Sequence, residues 1–195
     1  MMNAMRTAAL TAMLFAIAGF AETKESALGR SVTEDLKLRN QAVDDAVLRD
    51  YLAALANRLH ASESLTIEII SWRDTAPMTP AALPGGYMIV PLSLLVNARD
   101  EDELVRHLAH SLAHLVSRHG LRQQPRGPTV YLGDGHLPNQ YTPVTYEPAA
   151  GKLAAEWITQ AGPIATGQFA AMQERARAWT PAAPVRRPPS LRQKP

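Results

Sequence analysis

Residues 107–120 read HLAHSLAHLVSRHG and belong to the best-defined helix of the sequence. Leucines recur at helical spacing, which predicts that one face of this helix is buried in a core; they are Leu104, Leu108, Leu112 and Leu115. Asp100 stands where an N-cap is needed, and three acidic residues after it favour the positive end of the helix dipole. Gly120 is placed to end the helix, after Arg118 and His119 in its last turn.

His110 and His114 are four residues apart, so their side chains lie on one face of this helix, one turn apart. Two neutral imidazoles in that position can bind one zinc ion from the same side. The pair alone is weak evidence for a metal site, because such pairs also occur as ordinary surface or partly buried histidines. The flanking sequence therefore carries much of the weight.

Two strands are predicted upstream of the helix. Residues 64–72, SLTIEIISW, are rich in β-branched and apolar side chains. Residues 73–84 contain three prolines and are predicted to be a loop. A glycine pair at 85–86 allows a tight turn or a close backbone approach, and Tyr87 to Val90 form a second, short strand. Pro91 ends that strand or marks it as an edge strand.

The order ALPGGYMIV (82–90), an acidic helix start and HLAHSLAHLVSRHG resembles zinc metallopeptidase family M48, the family of the CAAX prenyl protease. The resemblance extends over residues 31–179 and is specific from 82 to 120. It implies an α+β fold: a mostly helical, zincin-like domain with a small sheet packed on the metal-bearing helix. It also implies zinc as the cofactor, with His110, His114 and Glu147 as its ligands.

The sequence departs from the family pattern at two chemically important positions. Ser111 stands where the family has the glutamate that serves as general base, and a hydroxyl is not ionised at neutral pH. Gly151 stands where the family has an aspartate that orients a zinc-binding histidine. In addition, Pro148 directly follows Glu147, which disfavours helix at that proposed ligand. We expect no catalytic residue at position 111, and zinc that is bound weakly or has been lost.

Three functions remain open on this evidence. The first is a zinc-binding pseudopeptidase, the second a metalloendopeptidase with residual activity, and the third a structural or interaction protein without metal. Because the family binds its substrate as an extended strand beside an edge strand, the resemblance implies a peptide or unfolded protein as partner. The residues predicted to receive it are Gly86, Tyr87, Met88, Ile89 and Val90.

The remaining histidines are not predicted ligands. His107 lies about 10 Å along the helix axis from His114, so both cannot easily bind one ion. We expect His107 and His119 to be packed or partly exposed, while His60 and His136 lie outside any recognisable pattern.

The domain organisation follows from composition. Residues 1–21 combine a single basic residue, an apolar run and small residues at Gly19 and Ala21, as in a signal peptide that is cleaved after Ala21. We therefore expect a periplasmic or secreted protein without a membrane span after cleavage. Residues 22–30 are predicted to be a linker, 31–179 the peptidase-like domain, and 180–195 a disordered tail rich in proline and arginine.

Composition excludes two classes of function. There are no cysteines, which excludes thiolate chemistry, and a net charge of +2 argues against a nucleic-acid partner.

Overall fold

The computed structural model describes residues 23–60, 65–72, 78–118, 147–164 and 166–180. The helices in these residues are α1 (Lys24–Arg39), α2 (Ala46–Leu59), α3 (Leu92–Asn97), α4 (Glu101–Val116), α5 (Glu147–Ala161) and α6 (Phe169–Arg177). The strands are β1 (Gln41–Ala42), β2 (Thr66–Ser71), β3 (Ala81–Leu83) and β4 (Tyr87–Pro91). The predicted signal peptide and all but the first residue of the predicted tail lie outside the described residues.

The four strands form one mixed sheet in the order β1-β2-β4-β3. β2 and β4 run parallel, with Thr66 opposite Tyr87 and Ile70 opposite Pro91. β3 pairs with β4 antiparallel, from Ala81 opposite Ile89 to Leu83 opposite Tyr87. The α+β fold class is thereby confirmed, and a mostly helical chain surrounds a small sheet.

The prediction that residues 86–90 form an edge strand is wrong. β4 is paired on both sides, and the two edge strands of the sheet formed by the described residues are β1 and β3. Residues 81–83 fall within the stretch 73–84, for which the three prolines predict a loop. Pro80 and Pro84 lie outside this three-residue strand, so the backbone N–H groups that they lack are not needed for its hydrogen bonds. The pairing with β4 outweighs the low β-propensity of alanine.

The apolar stripe of α4 lies in the main hydrophobic core, where Leu104, Leu108 and Leu112 are completely buried. Asp100 caps the helix as predicted, since its side chain accepts a hydrogen bond from the backbone N–H of Glu103. The helix ends earlier than predicted, at Val116 instead of near Gly120. The turn is made by Arg118 itself, whose φ of 53° lies in the left-handed region and whose N–H bonds to the carbonyl of Leu115.

The predicted linker 22–30 is instead mostly helical, because α1 begins at Lys24. Two glycines let α1 lie directly on the turn before β4. A Cβ on Gly29 would stand 2.0 Å from the carbonyl oxygen of Pro84, and a Cβ on Gly85 would stand 2.3 Å from Cα of Ser26. Gly85 also has a φ of 73°, which side chains disfavour. The position of α1 is therefore set by contact between two backbones.

A buried carboxylate holds the C-terminal helix to the core. Asp45 caps α2 and also accepts hydrogen bonds from Arg175 Nε at 2.7 Å and from Trp179 Nε1 at 3.0 Å. Burial by itself raises the pKa of Asp45, but the hydrogen bonds from Arg175, Trp179 and the backbone of Leu48 outweigh burial and hold that pKa below 3.8. Asp45 is thus ionised and paired at neutral pH.

A second buried carboxylate holds the segment before α6 to the core. Glu101, in the first turn of α4, accepts hydrogen bonds from the hydroxyl of Tyr51 and from the backbone and side chain of Thr166. Burial alone raises the pKa of Glu101, but these hydrogen bonds hold it below its usual range. The start of the histidine-bearing helix is thereby fixed to two other parts of the chain.

We predict opposite effects for one substitution at two helical glycines. Gly29→Ala forces α1 away from Pro84 and should lower the free energy of unfolding by about 1–3 kcal/mol, the usual cost of overpacking. Gly151→Ala, on α5, meets nothing within 4 Å and should raise it by about 0.5–1 kcal/mol through helix propensity. Urea unfolding followed by circular dichroism measures both, and equal effects of the two substitutions would contradict the α1 contact.

We predict a pH-dependent effect for Asp45→Asn. Because the folded pKa of Asp45 lies below its ordinary value of 3.8, its stabilisation is present above that pH and is lost as the pH falls through the folded pKa. The variant should be about 2 kcal/mol less stable than wild type at pH 7, with the difference shrinking below about pH 4. The control is Asp44→Asn, at a carboxylate 89% exposed, where we expect less than about 0.5 kcal/mol.

Candidate metal centre

Two of the three histidines of α4, His110 and His114, project from a different face of the helix than its leucines. While Leu104, Leu108 and Leu112 pack into the core, His110 and His114 stand beside the first turn of α5. The 3.6-residue period of the helix produces this separation, since residues four apart share a face and the leucine stripe occupies another. One helix therefore both completes the core and presents a pair of imidazoles.

Glu147 is the first residue of α5, and it reaches the histidines from the opposite helix. Helix was expected to be disfavoured at Glu147, yet α5 begins at this residue. Pro148 does not prevent this, because N–H groups in the first turn of a helix have no partner within the helix, and a proline there removes nothing. The expected conflict between Pro148 and helix at Glu147 is absent for that reason.

The three side chains converge on one point. His110 Nε2 lies 2.9 Å from Glu147 Oε2 and 3.1 Å from His114 Nε2. His114 Nε2 lies 3.4 Å from Glu147 Oε1, and the two imidazole rings meet edge to face at 72°. Within the described part of the chain, these are the three residues whose side chains are grouped closely enough to hold a metal ion, with ligand atoms within 4.8 Å of one another.

This donor set fits zinc. Bonds of ~2.0–2.1 Å at tetrahedral angles place ligand atoms ~3.3–3.4 Å apart, close to the separations between these nitrogens and oxygens. Two imidazoles and one carboxylate are also the protein ligands of one class of catalytic zinc site, in which a fourth position stays open. The structure thus brings together the three residues that the resemblance implies as ligands, and their role in binding zinc stays a prediction.

The three ligands differ in exposure. The side chain of His114 is 5% exposed, that of His110 is 31% exposed, and that of Glu147 is 43% exposed. The site is therefore anchored on a buried histidine and opens toward solvent on the side of His110 and Glu147.

Ser111, at the position of the family's general base, is buried and already engaged. Its hydroxyl donates a hydrogen bond of 2.8 Å to the carbonyl oxygen of Pro80. Pro80 directly precedes the edge strand β3, so this bond ties the histidine-bearing helix to that strand. An uncharged hydroxyl donating to a backbone carbonyl is a structural contact.

Gly151 lies on α5 one turn after Glu147, and a Cβ there would meet nothing within 4 Å. A longer side chain would fit at this position, so the absence of the family's aspartate leaves open space there.

The other described histidines stand apart from the cluster. The ring of His60 stacks on Trp157, with centroids 4.6 Å apart. Burial lowers the pKa of His107, an effect that Glu103 opposes and Arg106 reinforces. His119 and His136 lie outside the described residues. The side chain of His107 is half-buried, which agrees with the expectation that it is packed or partly exposed.

Sequence reasoning missed two parts of the surroundings. The edge strand beside Ser111 is Ala81–Leu83, not 86–90, and its only signal was the short apolar stretch between two prolines. Glu25 of α1 forms an ion pair of 2.7 Å with Arg118, just past the end of α4. A contact across 93 residues leaves no local trace in the sequence.

Two comparisons with known proteins agree with this geometry. The profile of peptidase family M48 matches residues 42–130, which include both histidines. The chain is also 30% identical over 150 residues to a protein of Vibrio cholerae serotype O1 that carries the name of a beta-barrel assembly-enhancing protease. That match covers 72% of this chain but 30% of the relative's length, so the chain spans less than a third of it. On these grounds, the chain belongs to peptidase family M48.

Proposed function

We propose that this member of the M48 metallopeptidase family is an exported pseudopeptidase, which holds zinc and binds extended peptide without hydrolysing it. The observation that supports this most strongly is the difference between the surroundings of two adjacent residues, His110 and Ser111. His110 belongs to a complete three-ligand cluster, whereas Ser111 is a buried, neutral hydroxyl bonded to Pro80.

The ligand cluster and the edge strand give the protein two means of holding a peptide. His110, His114 and Glu147 would hold zinc, which when bound supplies a Lewis acid for a carbonyl oxygen. β3 has one side free of pairing among the described strands, so an extended peptide can add to it through backbone hydrogen bonds. The Ser111–Pro80 bond fixes β3 relative to the cluster.

Within the described residues, no carboxylate of α4 is placed to take over the role of the missing base. Among the acidic residues that begin α4, Glu101 is held by Tyr51 and Thr166, and Glu103 is held by Arg99. Asp102 lies in the first turn of α4, about two helical turns before His110, which is too far for it to act at the ligand cluster. A positioned general base contributes about 10²–10⁴-fold to such reactions, so its loss is sufficient to abolish useful turnover.

The proposed location outside the cytoplasm rests on two observations. The amino-terminal 21 residues have the charged, apolar and small-residue regions of a signal peptide in the right order. The Vibrio cholerae relative is named for beta-barrel assembly. Within the described residues, no helix is both long and apolar enough to cross a bilayer.

We predict that the protein binds about one zinc ion per chain, the stoichiometry of a single three-ligand site. His110→Ala combined with His114→Ala should abolish this binding, and Glu147→Gln should weaken it. The matched control is His107→Ala on the same helix, which should leave the zinc content unchanged. Elemental analysis after equilibrium dialysis against zinc measures the zinc content per chain. Unchanged zinc content in the double variant would show that zinc is not bound by His110 and His114.

We predict that the wild-type protein does not hydrolyse an unfolded protein above background, and that Ser111→Glu gains hydrolysis sensitive to a chelator. The gain should be partial, because Gly151 leaves the site without the family's aspartate and because the variant loses the bond to Pro80. Ser111→Gln is the matched control, since it has the same size and loses the same bond but carries no carboxylate. Cleavage of a fluorescently labelled, unfolded protein measures all three.

Each result of this comparison is informative. Robust, chelator-sensitive cleavage by the wild type would establish a metalloendopeptidase and overturn the pseudopeptidase proposal. Equal activity of the Glu and Gln variants would show that a carboxylate at 111 is not what the site lacks. Absence of zinc binding together with absence of any gain would favour a structural or interaction protein without metal.

A further inference from the structure

A cavity of about 430 Å³ lies next to the ligand cluster. His114 contributes to its wall, and so do Ala82 and Leu83 of the edge strand β3. The cavity therefore adjoins both the buried metal ligand and the strand along which we propose that a peptide binds. Its volume falls within the range of ~300–1,000 Å³ that is typical of ligand pockets.

Apolar groups form the larger part of the cavity wall, and the polar residues Thr23, Ser26 and His60 also line it. Leu83 and Pro84 line it on the side of the sheet, and Leu115 and Val116 line it on the side of α4. The third wall is the start of α1, including Ser26. The glycine contacts that bring α1 onto the turn at Pro84 thus also form this pocket.

The charged groups at the cavity neutralise each other. Glu25 Oε2 and Arg118 Nη2 are 2.7 Å apart, and both residues line the cavity. Their side chains are 32% and 65% exposed, which places the pair at the rim. An incoming charged side chain would find neither carboxylate nor guanidinium free to pair with it, and it would lose hydration against apolar walls.

From this arrangement we propose that the cavity is a side-chain pocket selecting peptides with a large apolar residue, and that the Glu25–Arg118 pair determines this selectivity. The proposal rests on the proposed function, because it requires an extended peptide on β3. Such a peptide runs past Ala82 and Leu83, and alternate side chains of an added strand point to the same face. One of them can enter the cavity beside His114.

The test uses three capped peptides of alanine and threonine that differ at one central position, which is leucine, lysine or aspartate. Zinc-loaded, full-length wild type should bind the leucine peptide about tenfold more tightly than the other two, as expected from burial of one large apolar side chain. Fluorescence anisotropy of labelled peptides gives the dissociation constants.

Two charge-neutralising variants examine the rim separately. Arg118→Gln leaves the carboxylate of Glu25 unpaired and should strengthen binding of the lysine peptide by about fivefold. Glu25→Gln leaves the guanidinium of Arg118 unpaired and should strengthen binding of the aspartate peptide to a similar extent. A general loss of structure cannot produce opposite charge preferences in two variants that each neutralise one member of the same ion pair.

A matched pair of tryptophan variants tests the cavity itself. Val116→Trp fills the pocket and should remove the preference for leucine. Leu38→Trp, on α1 at a side chain 83% exposed, should leave the preference intact. Binding of all three peptides with equal affinity by the wild type would overturn the pocket while leaving peptide binding in place. Failure to bind any peptide would overturn the proposed function, and the pocket with it.

Discussion

The periodicity of one helix constrains this structure more than any other feature. α4 must bury its leucines against the sheet and α2, and that requirement fixes the rotation of the helix about its axis. Once this rotation is fixed, His110 and His114 can face only α5, where Glu147 meets them. The ligand cluster is thus held by the same packing that stabilises the domain, and it needs no separate scaffold.

The histidine-bearing helix is also fixed at both ends. At its start, Glu101 is bonded to Tyr51 and Thr166, which lie far apart in the sequence. Past its end, Arg118 turns the chain in a left-handed conformation and pairs with Glu25. Near its middle, Ser111 is bonded to the chain that enters β3. A helix restrained in this way holds the imidazoles in place before any ligand arrives, which lowers the entropic cost of binding.

How much could be predicted from the sequence depended on how local the cause was. The leucine period, the Asp100 cap and the spacing of the histidines are properties of short segments, and the structure agrees with each of them. The edge strand was missed because residues 81–83 become a strand only by pairing with β4. The start of α1 was missed because its helix is weakly amphipathic and is positioned by backbone contact at Gly29, which no side-chain pattern records. Helix at Glu147 was not expected because Pro148 follows it, but a proline in the first turn of a helix does not disrupt the helix.

The unequal exposure of the three residues has a consequence for how a zinc ion, if held by them as proposed above, would exchange. His114 is enclosed by protein, whereas His110 and Glu147 border on solvent. A competing solute can therefore displace the two outer donors one after the other, while the inner imidazole keeps its position. Exchange by such a stepwise route is faster than release from a fully enclosed site. Ions at this centre should accordingly equilibrate with the surrounding medium, so that occupancy follows the free zinc level of the compartment in which the protein resides.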